Sequence, residues 1–526
     1  MKKQIGSRIL SVFTLLIILW TPFFQGIDAV LAAPTTMDTV QRPTVDAVED
    51  DAWPMAGANP QRTSWTPEEV RGRLQPLWYK PIEPYIQPKT QVIAAYGMLY
   101  VSTARGLYAL DADTGEEVWV YPTEMPLGHS PTIAGEVAYV GGFDRKLHAI
   151  NAYTGERLWT FEAEAGFATN PLVVDGKIYA GNRDGYLYAI HAEHEPNAGE
   201  LAWRFKTDGA ILFSAAYVED AVYFASNDAH AYALDAENGS LIWKADPLPG
   251  AGFHSWWPVV HQNAGQGANV VIFAGSDNYR HFLPPDSTYD LLGRELADIY
   301  PDRHSDPKGT LYGARNAAGE IDATHVLNYF EEKPWRRTYL VLDRATGQEI
   351  TFDFDSDGNS EYAPILWHGT HSGNRYPPVV GADQTLYQAN NYMSDSWIAG
   401  GQISGWEFGS QYISTPSALW RAVDEPLAYS AGGDLIYWNH CNDHSAGAFD
   451  ISIPNTHFYP DSPDSNREWL YFDYNLESII PGYNFLYRGV SDNGYTINNL
   501  YQGTIESPNG VYGQHGDQNP PIPYDG

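Results

Sequence analysis

The chain has 526 residues, with 31 Lys and Arg against 65 Asp and Glu, which gives a formal net charge of -34. A chain this acidic lacks the basic stripe that phosphate binding requires, so its composition argues against nucleic acid as a partner. Cys441 is its only cysteine, which excludes an intramolecular disulfide and leaves stability to a large apolar core.

The first 52 residues have the composition of a targeting segment and a linker. Lys2, Lys3 and Arg8 precede an apolar run at residues 9–20, and Val30-Leu-Ala follows as a small-residue cleavage pattern. The run is too short for an ordinary transmembrane helix. We therefore expect a signal peptide at 1–32, an acidic linker at 33–52, no membrane span after cleavage and a secreted or extracytoplasmic protein.

A segment that ends in tryptophan then recurs four times. Its first copy reads Ala109-Leu-Asp-Ala-Asp-Thr-Gly-Glu-Glu-Val-Trp119, and the later copies end at Trp159, Trp203 and Trp243, in steps of 40, 44 and 40 residues. A period of roughly 40 to 45 residues with several short strands per unit is the sequence signature of a β-propeller blade. Because one blade cannot bury both of its faces alone, we expect the tryptophans to pack between neighbouring blades.

This pattern, Ala-x-Asp-x-x-x-Gly-x-x-x-Trp, resembles the docking pattern of the pyrrolo-quinoline quinone-like (PQQ-like) β-propeller repeat family. A fifth, partial copy at residues 341–351 ends in Thr351 instead of tryptophan. Upstream, Trp53-Pro-Met-x-Gly-x-x-Pro-Gln-Arg62-Thr63 is similar to the segment that precedes the first blade in that family. The resemblance implies an all-β propeller of four-stranded blades over residues 53–526, and it is specific for fold but not for function.

The number of blades follows from where the innermost strands begin. We predict eight blades, because innermost strands start near residues 91, 130, 170, 213, 257, 376, 425 and 519. The last blade is incomplete at the C-terminus, as in a fragment. Seven is the alternative, because residues 453–518 carry no clear repeat. Residues 74–79 match an outer strand without inner strands before it, so we expect them to close the ring against the C-terminal blade.

One long insert interrupts the fifth blade at about residues 281–337. It contains two helix-like stretches, 288–299 and 325–332, and it lies between the second and third strands of the blade. In a propeller, that connection is on the same face as the loops that lead into the innermost strands, here called the lead-in face. Long inserts on a rigid scaffold are usually functional, so this one is expected to cap the lead-in face.

An acidic loop follows the fifth copy and has the spacing of a cation site. Its carboxylates are Asp353, Asp355, Asp357 and Glu361, at positions 1, 3, 5 and 9, with Gly358 at position 6 for a sharp turn. The carbonyl of Asn359 would add a further oxygen ligand. Hard oxygen donors in this order favour calcium. The alternative is an acidic turn on a propeller edge.

The lead-in face also gathers unusual polar and aromatic residues. We predict a ligand funnel there, formed by His129, Asn170, His254, Trp256, His371, Arg375, His440 and His444. Histidines around a funnel could bind a transition metal, but ordinary hydrogen-bonded loop histidines are the favoured interpretation. A ring of aromatic and polar groups equally suits a sugar or a peptide.

Two functions are compatible with these features. The first is a secreted binding or scaffold propeller without catalysis, calcium-stabilised, whose ligand is an unknown protein, peptide or carbohydrate. The alternative is a quinoprotein dehydrogenase using PQQ and calcium, so the sequence does not settle whether the chain is an enzyme. The resemblance implies an adjacent cysteine pair beside the quinone in family members of that type. The lone Cys441 therefore argues against PQQ as a cofactor.

Overall fold

The computed structural model describes residues 52–67, 75–82, 85–87, 90–248, 253, 255–264, 268–274, 339–352 and 358–362, and short segments between 377 and 523. All of them belong to one compact unit, Val45–Gly526. Every regular element in these ranges is a β-strand. The described part of the chain contains no helix long and apolar enough to cross a membrane.

Two strands precede the first repeat, and four complete blades follow. The early strands are β1 (Trp65–Thr66) and β2 (Gln75–Ile82). The first blade contains β3 (Ile93–Ala95), β4 (Met98–Thr103), β5 (Gly106–Asp111) and β6 (Glu117–Pro122), and the second β7 (Thr132–Ala134), β8 (Val137–Gly141), β9 (Lys146–Asn151) and β10 (Arg157–Glu162). The third contains β11 (Leu172–Val174), β12 (Lys177–Gly181), β13 (Tyr186–His191) and β14 (Leu201–Lys206), and the fourth β15 (Ala216–Val218), β16 (Ala221–Ser226), β17 (His230–Asp235) and β18 (Leu241–Lys244).

The remaining strands form less regular sheets. The fifth blade has β19 (Val259–Ala264), β20 (Ala268–Ala274) and β21 (Tyr339–Asp343), followed by the hairpin of β22 (Thr351–Phe352) and β23 (Glu361–Tyr362). The next sheet contains β24 (Val379–Val380), β25 (Leu386–Met393), β26 (Ala399–Trp406) and β27 (Ile413–Ala418). The last strands are β28 (Ala428–Ser430), β29 (Leu435–His440), β30 (Ser445–Asp450), β31 (Arg467–Phe472), β32 (Asn484–Val490), β33 (Thr496–Tyr501) and β34 (Ile522–Pro523).

The described part of the chain forms six four-stranded sheets, one of five strands, one of three and one of two. The all-β propeller is therefore confirmed, but the expected count of eight, or seven, four-stranded blades is not matched. Two departures account for the difference in strand number. β1 adds in parallel to β28 and makes that sheet five-stranded, whereas β22 pairs with β23 and leaves the fifth blade with three strands.

Tryptophan and glycine dock successive blades together. The indole N–H of Trp119 donates to Ala152 O of the next blade at 3.0 Å, and a Cβ on Gly155 would lie 2.7 Å from the Trp119 ring. Gly155 also has a φ of 72°, so the turn requires glycine for its backbone and for the close approach of the ring. The same arrangement joins Trp159 to Gly199, Trp203 to Gly239 and Trp243 to Gly347, which confirms the predicted packing of the tryptophans.

The N-terminal strand β2 closes the ring. It pairs with β32 in the sheet ordered β2-β32-β33-β34, and Trp78 donates its indole N–H to Ala112 O of the first blade at 2.9 Å. A Cβ on Gly115 would lie 2.7 Å from the Trp78 ring. Trp78 therefore docks on the first blade as the later tryptophans dock on theirs, and residues 74–79 contain the predicted closing strand.

Candidate functional site

A single stretch of chain, residues 53–66, contacts the innermost strand of blade after blade. We call it the axial segment. Its backbone hydrogen bonds join Trp53 to Ala94 in β3, Pro54 to Ile133 in β7, Pro60 to Tyr217 in β15, Gln61 to Val260 in β19 and Ser64 to Tyr429 in β28. Innermost strands surround the axis of a propeller. A segment bonded to five of these strands lies near that axis.

The axial segment follows an irregular path. Ala58, Arg62 and Ser64 have φ values of 68°, 61° and 57°, in the left-handed region that residues other than glycine seldom adopt. Such conformations persist only where the surrounding structure holds them. Here hydrogen bonds within the segment, from the N–H groups of these three residues to Met55 O, Asn59 O and Gly57 O, act together with the bonds to the blades.

Arg62 fixes the axial segment to the third and fourth blades. Its side chain is fully buried; Nε donates to Ala215 O at 3.0 Å, and Nη2 donates to Pro171 O at 3.2 Å and Asn170 O at 3.4 Å. Nη1 donates to Ala56 O within the segment. Burial lowers the pKa of Arg62 to about 9, because the interior disfavours its charge. Among the described residues, this cation is therefore solvated by carbonyl dipoles and not by a carboxylate.

A series of hydrogen bonds near the axial segment connects four polar residues, each two residues before an innermost strand, and Trp256, three residues before β19. Ser130 Oγ accepts the N–H of Gln91 at 2.7 Å, Asn170 Oδ1 accepts that of Ser130 at 3.0 Å, and Ser214 Oγ accepts that of Asn170 at 3.0 Å. The N–H of Ser214 then donates to Trp256 O at 2.8 Å. We call these five residues the axial ring. The first five blades are thereby bonded in succession near the axis.

The structure describes only part of the predicted ligand funnel. Asn170 and Trp256 belong to the axial ring and are buried, and His129, beside Ser130, is 4% exposed. His440 ends β29. His254, His371, Arg375 and His444 lie outside the described residues, as do the signal peptide and the insert at 281–337. The funnel as a whole stays a prediction.

Sequence reasoning missed two members of the axial ring and the role of Arg62. Gln91, Ser130, Asn170 and Ser214 are of three residue types, so no single residue type marks the position in the repeat. Their spacing was the available signal, since positions 91, 130, 170 and 214 keep the step of the repeat. Arg62 was identified as part of a motif, but its acceptors lie 108 to 153 residues away in the sequence.

Aspartates in the loops between second and third strands serve as turn caps. Asp144 Oδ1 accepts the N–H of Lys146 at 3.2 Å and lies 3.3 Å from His148 Nε2. Burial alone would raise the pKa of Asp144, but the hydrogen bond and charge of His148 place it below its ordinary value. Asp184 and Asp228 likewise accept the backbone N–H of the residue two positions later. Four positions later, each accepts from the hydroxyl of a tyrosine, where Asp144 has a histidine. This repetition indicates a structural role.

The predicted calcium loop connects β22 to β23. Thr351 pairs with Tyr362 and Phe352 with Glu361, so residues 353–360 form a hairpin connection, and Gly358 has a φ of 93° as a sharp turn requires. Asn359 is exposed. Asp353, Asp355 and Asp357 lie outside the described residues. Within the described ranges, no group of three His, Cys, Asp or Glu side chains could hold a metal ion.

Comparison with known proteins identifies the repeat and the fold. The family model described as outer membrane protein assembly factor BamB matches residues 75–194 and 103–252. No curated protein matches the sequence.

Three solved structures share the fold. The quinohemoprotein alcohol dehydrogenase ADHIIG from Pseudomonas putida HK5 is 15% identical, covering 86% of this chain and 76% of that one, with a TM-score of 0.54. The enzyme of the same class from Comamonas testosteroni is 14% identical, covering 86% and 77%, with a TM-score of 0.55. A europium-containing methanol dehydrogenase is 13% identical, covering 87% and 90%, with a TM-score of 0.52.

These similarities correct one expectation from the sequence. The lone Cys441 argued against PQQ as a cofactor, yet the fold is shared along most of the chain with proteins named as quinohemoprotein dehydrogenases. A missing cysteine pair is therefore no ground for excluding the quinone, and that exclusion was wrong. The blades, the tryptophan docking and the family match agree that residues 75–252 are repeats of the PQQ-like β-propeller family.

Proposed function

We propose that this chain is an extracytoplasmic quinoprotein-type dehydrogenase, with PQQ as its redox group and calcium as its metal. The observation that supports this most is the extent of the fold similarity. Two quinohemoprotein alcohol dehydrogenases and a methanol dehydrogenase match 86% to 87% of the chain. The predicted signal peptide at 1–32 would deliver the protein to the compartment that the proposal requires.

The axis itself offers no room for the quinone. PQQ is a planar fused-ring molecule with carboxylates, whereas a single added carbon at Gly57 would already lie 3.0 Å from Trp257 Nε1. Arg62, the buried cation of the axis, already donates to four backbone carbonyls. The described axial residues therefore do not fit the group. The proposal puts the quinone on the lead-in face, outside the axial segment.

The sequence predicts on the lead-in face the features that a cofactor site needs. The insert at 281–337 would cover it and exclude water, and the predicted funnel would supply polar and aromatic contacts from His129 round to His444. A bound quinone supplies an acceptor for the two electrons that leave an alcohol. The protein would hold and orient the reactants on a rigid propeller.

The proposal also includes a calcium site and the number of blades. Asp353, Asp355, Asp357, Glu361 and the carbonyl of Asn359 would hold one calcium ion in the hairpin between β22 and β23, which supports the blade edge. We propose that the three-stranded and five-stranded sheets are also blades, which with the six sheets of four strands would make eight.

A second candidate function has one observation in its favour. The axial segment bonds to five innermost strands near the centre of the propeller, which would suit a scaffold that binds a protein, peptide or carbohydrate on its face. Such a chain would use the same lead-in face without catalysis.

One experiment separates the two functions. The purified protein is mixed with PQQ and calcium, desalted, and tested for reduction of an acceptor dye with alcohols and aldoses. The proposal predicts stoichiometric retention of the quinone and substrate-dependent dye reduction, abolished by chelator. Quinone lost on desalting, with no dye reduction, would contradict it and leave the binding scaffold.

A further inference from the structure

Three side chains at the contact between the first and second blades form a hydrogen-bonded series, which we call the inter-blade triad. They are Tyr121 in β6, His148 in β9 and Asp144 in the loop before β9. The Tyr121 hydroxyl lies 3.1 Å from His148 Nδ1. His148 Nε2 lies 3.2 Å from Oδ2 and 3.3 Å from Oδ1 of Asp144. Both nitrogens of this imidazole, whose side chain is 4% exposed, therefore have a partner.

The repeat allows a comparison, because the same three positions recur at the next two blade contacts. There a phenylalanine packs edge-on against a tyrosine, and the tyrosine hydroxyl donates directly to the aspartate. The residues are Phe161, Tyr188 and Asp184 at one contact and Phe205, Tyr232 and Asp228 at the other. Among the contacts of the four complete blades, only that of Tyr121 with His148 places an imidazole between a carboxylate and a hydroxyl.

The carboxylate fixes the position of the proton on the imidazole. Burial raises the pKa of Asp144, but the hydrogen bond and charge of His148 outweigh burial and lower it, so this carboxyl is an anion that only accepts. His148 Nε2 must then carry a hydrogen, and Nδ1 of the neutral ring accepts the Tyr121 O–H. A hydroxyl that donates to an imidazole oriented by a carboxylate has the arrangement of an activated nucleophile.

Tyr121 requires such a base in order to react. Burial raises the pKa of its hydroxyl, although the charge of Arg157 acts in the opposite direction. The hydroxyl therefore keeps its proton at neutral pH, and nucleophilic attack requires His148 to accept that proton. Arg157, beside the hydroxyl, supplies positive charge where negative charge would develop on an attacked carbonyl group. Tyr121 is only partly buried, which leaves part of it accessible from solvent.

We infer that Tyr121 is a nucleophilic tyrosine that accepts an acyl group from a small activated ester. The Tyr121 oxygen attacks the carbonyl carbon while its proton moves to His148 Nδ1, and Asp144 stabilises the imidazolium. The bond between that carbon and the alcohol oxygen breaks, and the alcohol leaves with the proton from His148. The products are a Tyr121 ester and the free alcohol, without change of oxidation state. This reaction does not depend on the proposed quinone.

Reaction of the full chain with p-nitrophenyl acetate tests the inference. The release of p-nitrophenol should begin with a burst of about one equivalent, as accumulation of an acylated protein requires. Peptide mass spectrometry should then find the acetyl group on Tyr121. Tyr85 is 58% exposed but lies outside the triad, so its acetylation should be at least about tenfold slower. Acetylation of Tyr121 no faster than that of Tyr85 would overturn the inference.

A double variant removes the nucleophile and its base without disturbing the blade contact. Tyr121→Phe with His148→Tyr gives this contact the side chains that the next contact has in Phe161 and Tyr188. The double variant should therefore keep a melting temperature close to that of the wild type and give no burst. A burst of wild-type size in the folded double variant would contradict the assignment to Tyr121.

Asp144 is a positioning residue, and its role has a separate test. Asp144→Asn keeps an oxygen acceptor for the imidazole but removes the charge, so it should slow acetylation of Tyr121 at least about tenfold. The pH at which the rate falls should also decrease, because the imidazolium loses its counter-ion, whereas a loosened turn would lower the rate equally at every pH. Asp184→Asn is the matched control, since Asp184 caps the same turn in the next blade, and it should keep the wild-type rate and profile.

Equal rates in Asp144→Asn and the wild type would contradict the role of the carboxylate. If Asp144→Asn fails to fold, the rates of acetylation of Tyr121 and Tyr85 in the wild-type chain still decide whether Tyr121 is activated.

Discussion

At the scale of single residues, Arg62 is the side chain that attaches the axial segment to the blades. Its guanidinium joins the axial segment to the third and fourth blades through three carbonyls, those of Ala215, Asn170 and Pro171. A buried charge is tolerated when hydrogen bonds replace its hydration. Arg62 therefore stabilises the fold by donating to buried carbonyls of two blades, of which Pro171 O also accepts from Thr132 Oγ1 at 2.7 Å.

Replacing Arg62 by methionine should reveal this contribution. We expect a loss of about 3 kcal/mol in the free energy of unfolding, because several buried carbonyls lose their donor at once. Urea unfolding followed by tryptophan fluorescence measures it. Arg145→Met is the control, since Arg145 pairs with Glu162 at the surface and should cost less than about 1 kcal/mol. Equal losses in the two variants would contradict the role of Arg62.

At the scale of elements, the unit of assembly is the tryptophan of one blade on the glycine turn of the next. This contact was predictable, because both residues recur at fixed positions in the repeat, as Trp203 and Gly239 do. The axial segment was not, because it bonds to the blades through its backbone and one arginine, and backbone contacts leave no periodic pattern of side chains. The residues of the axial ring fall between these cases, since their spacing repeats but their identity does not.

Gly239 and Gly135 both have a left-handed backbone, but only Gly239 also lies close to a tryptophan ring. Gly239 has a φ of 74° and a Cβ there would lie 2.6 Å from the Trp203 ring, whereas Gly135 has a φ of 55° and no atom within 4 Å of its Cβ position. Gly239→Ala should cost about 3 kcal/mol, and Gly135→Ala about 1 kcal/mol from the left-handed backbone alone. Thermal unfolding of both variants compares the two costs. Equal losses would mean that the close approach of the indole carries no energy.

The proposed calcium site in the loop between β22 and β23 has its own test. Asp355→Ala should lower the melting temperature in calcium and barely alter it in chelator, because four carboxylates this close repel one another unless a cation neutralises them. Glu124→Ala, at an exposed position between β6 and β7, should change neither value. Equal losses for Asp355→Ala in calcium and in chelator would mean that the loop binds no ion.

At the scale of the whole molecule, the buried tyrosines connect stability to pH. Burial raises the pKa of Tyr223 to about 12, and it raises the pKa of Tyr139, Tyr179 and Tyr188 above their ordinary value of 10.0. A phenol whose folded pKa lies above its unfolded value stabilises the fold fully below pH 10. That contribution is lost as the pH rises towards the folded pKa.

Tyr223→Phe should therefore flatten the alkaline loss of stability. Between pH 8 and pH 11 the wild-type protein should lose about 1 kcal/mol more than this variant, as a pKa difference of that size implies. Urea unfolding at the two pH values gives the difference. Tyr85→Phe, at a position 58% exposed, should keep the wild-type pH dependence. The same slope in wild type and Tyr223→Phe would contradict the role given to burial.

At the scale of the whole molecule, our central proposal is that the axial segment occupies the centre of the propeller and that a quinone binds on the lead-in face. A crystal structure of the chain grown with PQQ and calcium tests it most directly. We predict the quinone on the lead-in face, with residues 53–66 still filling the axis. A quinone bound in the axis in place of that segment, or a lead-in face that stays empty at saturating PQQ, would contradict the claim.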